Sequence, residues 1–298
     1  MEKLSLHKLV SQAWNFSRTK KFPWIFGALV ALSGLIGSRI NITSAPITSL
    51  EELFQTITTK SPEELTYLLL TLFVLFIAST FGKGNLIVAL SFVIKKDFLP
   101  NHPTTYQALW KNFIHAFFIE CIAFCFLAII GGILSLPLLI ASRTNAGAVP
   151  TLINFAFLTF ILISIAVFLI KQFTLFYTLL FSLNIRGAVE TSVFIFSRFF
   201  SLSLLFALFT FLLTALFTFC VNIVILGIVV LSEKISLPLG GTVFSFAISF
   251  ILFTWFVVFE QTLWLLFFKS IAKQEEKEKG EKERVLNNDV LPETPPAQ

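Results

Sequence analysis

Charged side chains are scarce in this chain and make up only 13% of its 298 residues. Ordinary soluble domains carry about 25% charged and roughly 45–50% apolar residues, whereas this chain is 56% apolar with a mean hydropathy of +0.87. Of its 22 basic and 17 acidic residues, only 20 lie in the long stretch 22–268. These figures argue against a soluble enzyme, a nucleic-acid-binding protein or a disordered chain, and they predict residence in a lipid bilayer.

Cysteine and histidine are scarce too, with three residues each. Cys121, Cys125 and Cys220 lie within apolar runs, which indicates packing rather than a disulfide framework or a metal site. The sequence contains no Walker loop, dinucleotide-binding glycine fingerprint, H-E-x-x-H motif or nucleophile elbow. It therefore predicts no catalytic residue, no metal site and no cofactor.

Six apolar stretches are long enough to cross a bilayer, which takes about 20 residues for roughly 30 Å of hydrocarbon. These spans lie near 22–40, 65–94, 113–141, 151–185, 201–231 and 242–268. The second is the least secure, because Gly82, Lys83, Gly84 and Asn85 interrupt it. The predicted fold is an all-α, polytopic membrane helix bundle. An amphipathic elbow helix in 1–21 precedes it, and a charged, largely disordered cytoplasmic tail, 269–298, follows.

The distribution of Lys and Arg between the loops predicts the orientation of the chain. If both termini are cytoplasmic, that side carries 16 basic residues and the opposite side carries four. Such a bias marks the cytoplasmic side of a membrane protein. Trp14, Trp24, Trp110 and Trp264 fall near the predicted cytoplasmic boundaries, where indole rings are enriched. We expect a protein of the cytoplasmic membrane with both termini in the cytoplasm.

A short segment of similar character precedes each outward-going span, at residues 4–18, 105–111 and 188–198. Gln12, Gln107 and Thr191 mark comparable positions, separated by 95 and 84 residues. Recurrence of this kind predicts an internal repeat. The six spans then form three copies of one unit, each an elbow helix followed by a hairpin of two spans.

Four ionisable residues lie well inside the apolar stretches: Lys83, Glu120, Lys171 and Glu260. Lys83, Lys171 and Glu260 lie 71, 64 and 69 positions after the three repeat markers, and an amide follows each within two residues: Asn85, Gln172 or Gln261. At a rise of 1.5 Å per residue, all four lie about 10–21 Å from the cytoplasmic ends of their spans. The pattern predicts an intramembrane polar cluster of two bases, two acids and the amides Gln172 and Gln261.

Two interpretations of this cluster remain open. An unpaired charge at the centre of a span costs about 2.5–3.5 kcal/mol on insertion scales, so intramembrane charges are functional candidates. The cluster would then line a cavity that binds an ion, a proton or a lipid headgroup. Alternatively, Lys–Glu pairs join neighbouring helices and lysines extend toward the interface, which is the reading that we favour.

Two stretches carry a resemblance to a known group of proteins. They are Ala13-Trp14-Asn15-Phe16 with Lys20-Lys21-Phe22-Pro23-Trp24-Ile25-Phe26-Gly27, and Asn184-Ile185-Arg186-Gly187-Ala188-Val189-Glu190-Thr191-Ser192. In these the chain resembles uncharacterised bacterial six-span membrane proteins that are similar to the membrane domain of some glycerophosphodiester phosphodiesterases and to YciC-type proteins. The resemblance implies a fold and a location, and it transfers no catalytic residue and no activity.

Three hypotheses of function follow. The leading one is an integral membrane protein without a catalytic site, a structural or partner-binding component of the cell envelope. Its partners would be the lipid bilayer and a protein that contacts the elbow helices or the C-terminal tail, with no role for nucleic acid. The alternative is a transporter of a small solute, ion or lipid that uses the Lys/Glu cluster. A lipid-modifying membrane enzyme is the third.

Overall fold

The protein is an assembly of helices in a computed structural model that describes residues 5–39, 61–94, 106–144, 149–234 and 238–289. Within these ranges the regular structure is eight helices and no strand. The helices are α1 (Leu6–Thr19), α2 (Trp24–Arg39), α3 (Pro62–Ile94), α4 (Tyr106–Thr144), α5 (Val149–Phe181), α6 (Ile185–Arg198), α7 (Phe200–Lys234) and α8 (Pro238–Asp289). The prediction of an all-α fold is confirmed for this part of the chain.

Five of these helices are long and apolar enough to cross a membrane: α3, α4, α5, α7 and α8. The helix in the first predicted span, α2, has 16 residues, which at 1.5 Å per residue is about 24 Å and falls short of a roughly 30 Å hydrocarbon layer. Residues 40–60, which follow α2, lie outside the described ranges. The structure therefore supports an integral membrane protein with at least five helices suited to spanning.

The two short helices, α1 and α6, are held by caps at their N-termini. The Ser5 hydroxyl accepts a hydrogen bond from the Lys8 backbone N–H at 3.4 Å, and the Asn184 side chain accepts one from Gly187 at 2.8 Å. These are the N-terminal N–H groups that lack partners within a helix. Each helix buries one narrow face, with Leu9, Ala13 and Ser17 in α1 and Ala188, Ser192 and Ile195 in α6. Both are thus amphipathic helices that lie on the bundle.

Helices α3, α5 and α8 contact one another and form the centre of the bundle. Around them, α2 packs between α3 and α8, α4 packs between α3 and α5, and α7 packs mainly on α8. The short helix α1 lies on α8, and α6 lies on α5. Aromatic rings fill much of this core, including Phe206 stacked on Phe267 with ring centroids 3.8 Å apart. Away from the core, large apolar side chains of α4, α5 and α7 are exposed, as expected of faces that contact lipid.

Three sequence-based expectations are corrected by the helix boundaries and by burial. The elbow predicted at 105–111 is not a separate helix, because no proline or glycine interrupts the sequence between Tyr106 and Glu120, and α4 runs through it. The tail predicted to be largely disordered is helical as far as Asp289, since residues 269–289 are rich in Glu and Lys and contain no proline. Trp264 is fully buried rather than interfacial, because Phe206 and Phe168 cover its ring at centroid distances of 4.8 and 5.7 Å.

The glycines that seemed to interrupt the second span instead allow close packing of a continuous helix, α3. A Cβ atom on Gly82 would lie 2.9 Å from the Phe26 carbonyl oxygen of α2. A Cβ atom on Gly84 would lie 3.0 Å from the Ala116 Cβ and from the Asn112 carbonyl oxygen of α4. Small residues of this kind bring helix backbones together in lipid, where the hydrophobic effect does not drive association.

We expect Gly82→Val to destabilise the bundle, because the added carbons would meet the α2 backbone. Overpacking of this kind costs about 1–3 kcal/mol. Gly34→Val is the matched control, since Gly34 is also inside a helix and a Cβ there has no neighbour within 4 Å. The measurement is the free energy of unfolding in mixed detergent micelles. Equal losses for both variants would contradict the packing role of Gly82.

Candidate intramembrane polar cluster

The four ionisable residues inside the predicted spans come from four different helices. Lys83 lies on α3, Glu120 on α4, Lys171 on α5 and Glu260 on α8. Three of these helices, α3, α5 and α8, form the centre of the bundle, and α4 packs between two of them. Charged side chains from distant parts of the sequence are therefore carried to the interior contacts of the bundle.

Glu120 bridges two lysines. Its Oε1 atom lies 2.9 Å from Nζ of Lys83, and its Oε2 atom lies 2.8 Å from Nζ of Lys171. The side chains are largely buried, with exposed fractions of 17% for each lysine and 16% for the glutamate. Each carboxylate oxygen thus accepts one charge-assisted hydrogen bond, the stronger class of hydrogen bond in proteins. One carboxylate thereby ties together α3, α4 and α5.

Glu260 is placed differently from the other three. Its carboxylate makes no hydrogen bond and no ion pair with any residue of the described ranges. The carboxyl group of Glu260 therefore stands apart from the bridge that joins Lys83, Glu120 and Lys171.

The two amides of the predicted cluster bind each other. Nε2 of Gln172 on α5 donates to Oε1 of Gln261 on α8 at 3.1 Å. Successive residues of a helix point about 100° apart, so Lys171 reaches α4 while Gln172 reaches α8. The Gln172–Gln261 bond therefore joins α8, the central helix outside the ion bridge, to α5.

A third polar contact involves a residue that the sequence analysis did not select. Nδ2 of Asn112 on α4 donates to Oδ1 of Asn85 on α3 at 3.2 Å, and Nδ2 of Asn85 lies 3.4 Å from the Leu109 carbonyl oxygen. Asn112 was missed because it lies at the end of a predicted elbow rather than inside a span. Asn112 lies two helical turns before Glu120 on α4, and this spacing was the signal in the sequence that could have identified it.

Several buried polar atoms of the bundle lack a hydrogen-bond partner in the described structure. They are Oε1 of Gln172 and the hydroxyl oxygens of Thr178, Ser203, Thr254 and Ser164. Buried polar groups are usually satisfied by protein or by ordered water. The interior around Gln172 therefore has unused acceptor capacity that a water molecule or a small polar ligand would satisfy.

The arrangement is suited to holding helices together and to binding a small polar group. The hydrogen bonds of the ion bridge run between Lys83, Glu120 and Lys171. No group of three metal-ligating side chains occurs within the ranges that the structure describes. The three cysteines are free thiols.

We expect Glu120→Gln to destabilise the protein more than Lys83→Met or Lys171→Met does. Loss of Glu120 leaves two ammonium groups unpaired, whereas loss of one lysine leaves Glu120 bound to the other. Removing one partner of a buried pair costs about 3–5 kcal/mol, and the partial exposure here places the expected loss near the lower value. The measurement is the free energy of unfolding in detergent.

The matched control is Glu190→Gln, which removes the exposed Arg186–Glu190 pair on α6, whose partners are 89% and 66% exposed. Exposed pairs of this type contribute about 0.3–0.5 kcal/mol. A loss for Glu120→Gln no larger than that for Glu190→Gln would refute the role of the bridge.

Comparison of the chain with protein-family models, with curated proteins and with solved structures finds no match.

Proposed function

We propose that this chain is a non-catalytic, multi-pass protein of the cytoplasmic membrane that binds a protein partner at the cytoplasmic surface. The observation that carries the proposal is the form of α8. This one helix packs at the centre of the bundle, includes the apolar stretch Gly240–Gln274, and continues to Asp289. We call residues 275–289, which follow the apolar stretch, the arm.

The arm is a surface suited to a protein partner. Its sequence alternates Glu and Lys from Glu275 to Arg284, and both signs of charge offer electrostatic complementarity, which gives an interface specificity. The arm and the central apolar stretch are one continuous helix. A helix that is already formed loses less entropy on binding than a flexible tail does.

The ion bridge supports a structural role for the polar cluster. Both carboxylate oxygens of Glu120 are already bound by lysines of neighbouring helices. A transport site needs charged groups that exchange their partners for the solute. The bridge instead satisfies its own charges, and it joins α3, α4 and α5.

The pattern of helix contacts supports the threefold repeat that is part of this proposal. In each proposed copy the elbow lies against the returning helix of the copy before it: the start of α4 against α3, and α6 against α5. The elbow of the first copy, α1, lies against α8, the returning helix of the third. This arrangement closes a ring of three hairpins, with α2 as the sixth span.

The same proposal includes the resemblance to six-span bacterial proteins related to the glycerophosphodiester phosphodiesterase membrane domain and the YciC-type proteins. The Trp14 and Trp24 segment that carries part of the resemblance is an ordered corner of the fold. Nε1 of Trp24 donates to the Ser17 carbonyl oxygen at 2.9 Å, which fixes the turn from α1 to α2. This hydrogen bond gives Trp24, one of the residues that carry the resemblance, a structural role.

A transporter of a small solute or ion is the second candidate, and Glu260 is the observation that favours it. This carboxylate has no direct partner among the residues that the structure describes. The Oε1 atom of Gln172, whose amide nitrogen binds Gln261, is also unbonded there. Intramembrane acids without a partner are typical of proton and ion pathways. In that case Glu260, rather than the satisfied bridge, would bind the transported species.

We expect Gly280→Pro to release the partner, because proline breaks a helix interior at a cost of about 3 kcal/mol. Gly280→Ala is the matched control, since alanine favours the helix. The measurement is the size of the full-length protein extracted from its native membranes in mild detergent. We expect a complex for the wild type and Gly280→Ala, and a smaller species for Gly280→Pro. A wild-type protein extracted alone, or a complex that Gly280→Pro leaves intact, would overturn the proposal.

We expect both termini to be cytoplasmic. The test uses a chain in which the three native cysteines are replaced by serine, with a single cysteine introduced as Asn145→Cys or Asn101→Cys. A membrane-impermeant maleimide applied to intact cells should label the first variant, and the second only after permeabilisation. The reverse labelling pattern would show that the chain has the opposite orientation in the membrane.

A further inference from the structure

A pocket of about 470 Å³ lies where α1, the end of α3 and α8 meet. One wall is polar and consists of Gln12, Asn15 and Lys20 from α1 and its C-cap. The apolar part of the lining consists of Val93 and Ile94 from α3, Leu266 from α8 and Phe16 from α1, and Thr262 of α8 adds a hydroxyl. The pocket is therefore amphiphilic, and it is separate from the Lys/Glu cluster.

The polar wall offers donors that the protein itself does not use. The side chains of Gln12, Asn15 and Lys20 make no hydrogen bond and no ion pair with any residue in the described ranges. Their neighbour Thr19, by contrast, donates its hydroxyl to the Asn15 carbonyl oxygen at 2.8 Å. Two amide groups and one ammonium thus face the same pocket with their hydrogen-bonding capacity free.

The electrostatic surroundings favour an anion. Every charged residue of α1 and of the turn that follows it is basic: Lys8, Arg18, Lys20 and Lys21. A basic amphipathic helix at a bilayer surface attracts anionic lipid, with about 1 kcal/mol for each Lys or Arg near the surface. The amphipathic α1 and the indole of Trp24 place this pocket at the level of the headgroups.

We propose that this pocket binds one anionic phospholipid. The phosphate accepts hydrogen bonds from Lys20, Asn15 and Gln12, and the first carbons of the acyl chains pack on Leu266, Val93 and Ile94. The inference depends only on the chain lying in a bilayer. It is independent of the proposed partner and of the orientation of the termini, so either can fail without the other.

The test is native mass spectrometry of the full-length protein, released from micelles that contain phosphatidylglycerol or phosphatidylcholine. The variants are Lys20→Gln and Asn15→Leu. The matched control is Lys21→Gln, which removes the same charge from the adjacent residue, whose Nζ atom lies 4.3 Å from the centroid of the Trp24 ring. Thermal unfolding without added lipid verifies that all four proteins are folded alike.

We expect the wild type and Lys21→Gln to retain one phosphatidylglycerol molecule in preference to phosphatidylcholine. Lys20→Gln should weaken retention about fivefold, and Asn15→Leu should weaken it as well. Equal losses for Lys20→Gln and Lys21→Gln would reveal a general effect of surface charge and overturn the proposal. Equal retention of the two lipids would overturn it too, as would displacement of the lipid by glycerol 3-phosphate at equal concentration.

Discussion

The bridge from Glu120 to Lys83 and Lys171 is the interaction on which the rest of this bundle depends. A single unpaired charge inside a span costs about 2.5–3.5 kcal/mol, so three charges must be brought together if their helices are to stay in lipid. The bridge meets this requirement with one carboxylate, each of whose oxygens binds one lysine. Any arrangement that separated α3, α4 and α5 would leave buried charges without a partner, and the charges therefore select one packing of these helices.

The backbone contacts explain how the bridge is reached. Gly84 follows Lys83 and packs against Ala116, which lies one helical turn before Glu120. Close approach of α3 and α4 at this glycine brings the lysine ammonium within hydrogen-bond distance of the carboxylate. Packing and charge pairing are thus coupled: the close contacts at Gly82 and Gly84 and the ion pairs of Glu120 together determine the positions of the helices. The Gln172–Gln261 bond adds α8 to this set of contacts.

The packed centre of the bundle positions the two surfaces for which we propose binding roles, the arm and the lipid pocket. The arm is attached to the same helix that carries Gln261, and α1 lies on α8 beside the proposed lipid pocket. A lipid held between α1 and α8 would stabilise the elbow against the bundle, on the same helix from which a protein partner would be held. The two proposals concern separate surfaces, which meet on α8.

The amino-acid sequence alone determined the solvent, the helical class, the approximate spans and the identity of the intramembrane charges, because hydropathy and the cost of charge in lipid act on every residue locally. It did not determine that Asn112 binds Asn85, that Trp264 is buried, or that Glu120 rather than Glu260 bridges the lysines. Those outcomes depend on which helix faces meet, and on how closely glycine allows them to approach. Lys83 and Lys171 are 88 positions apart in the chain, and only the tertiary structure decided that one carboxylate would serve both.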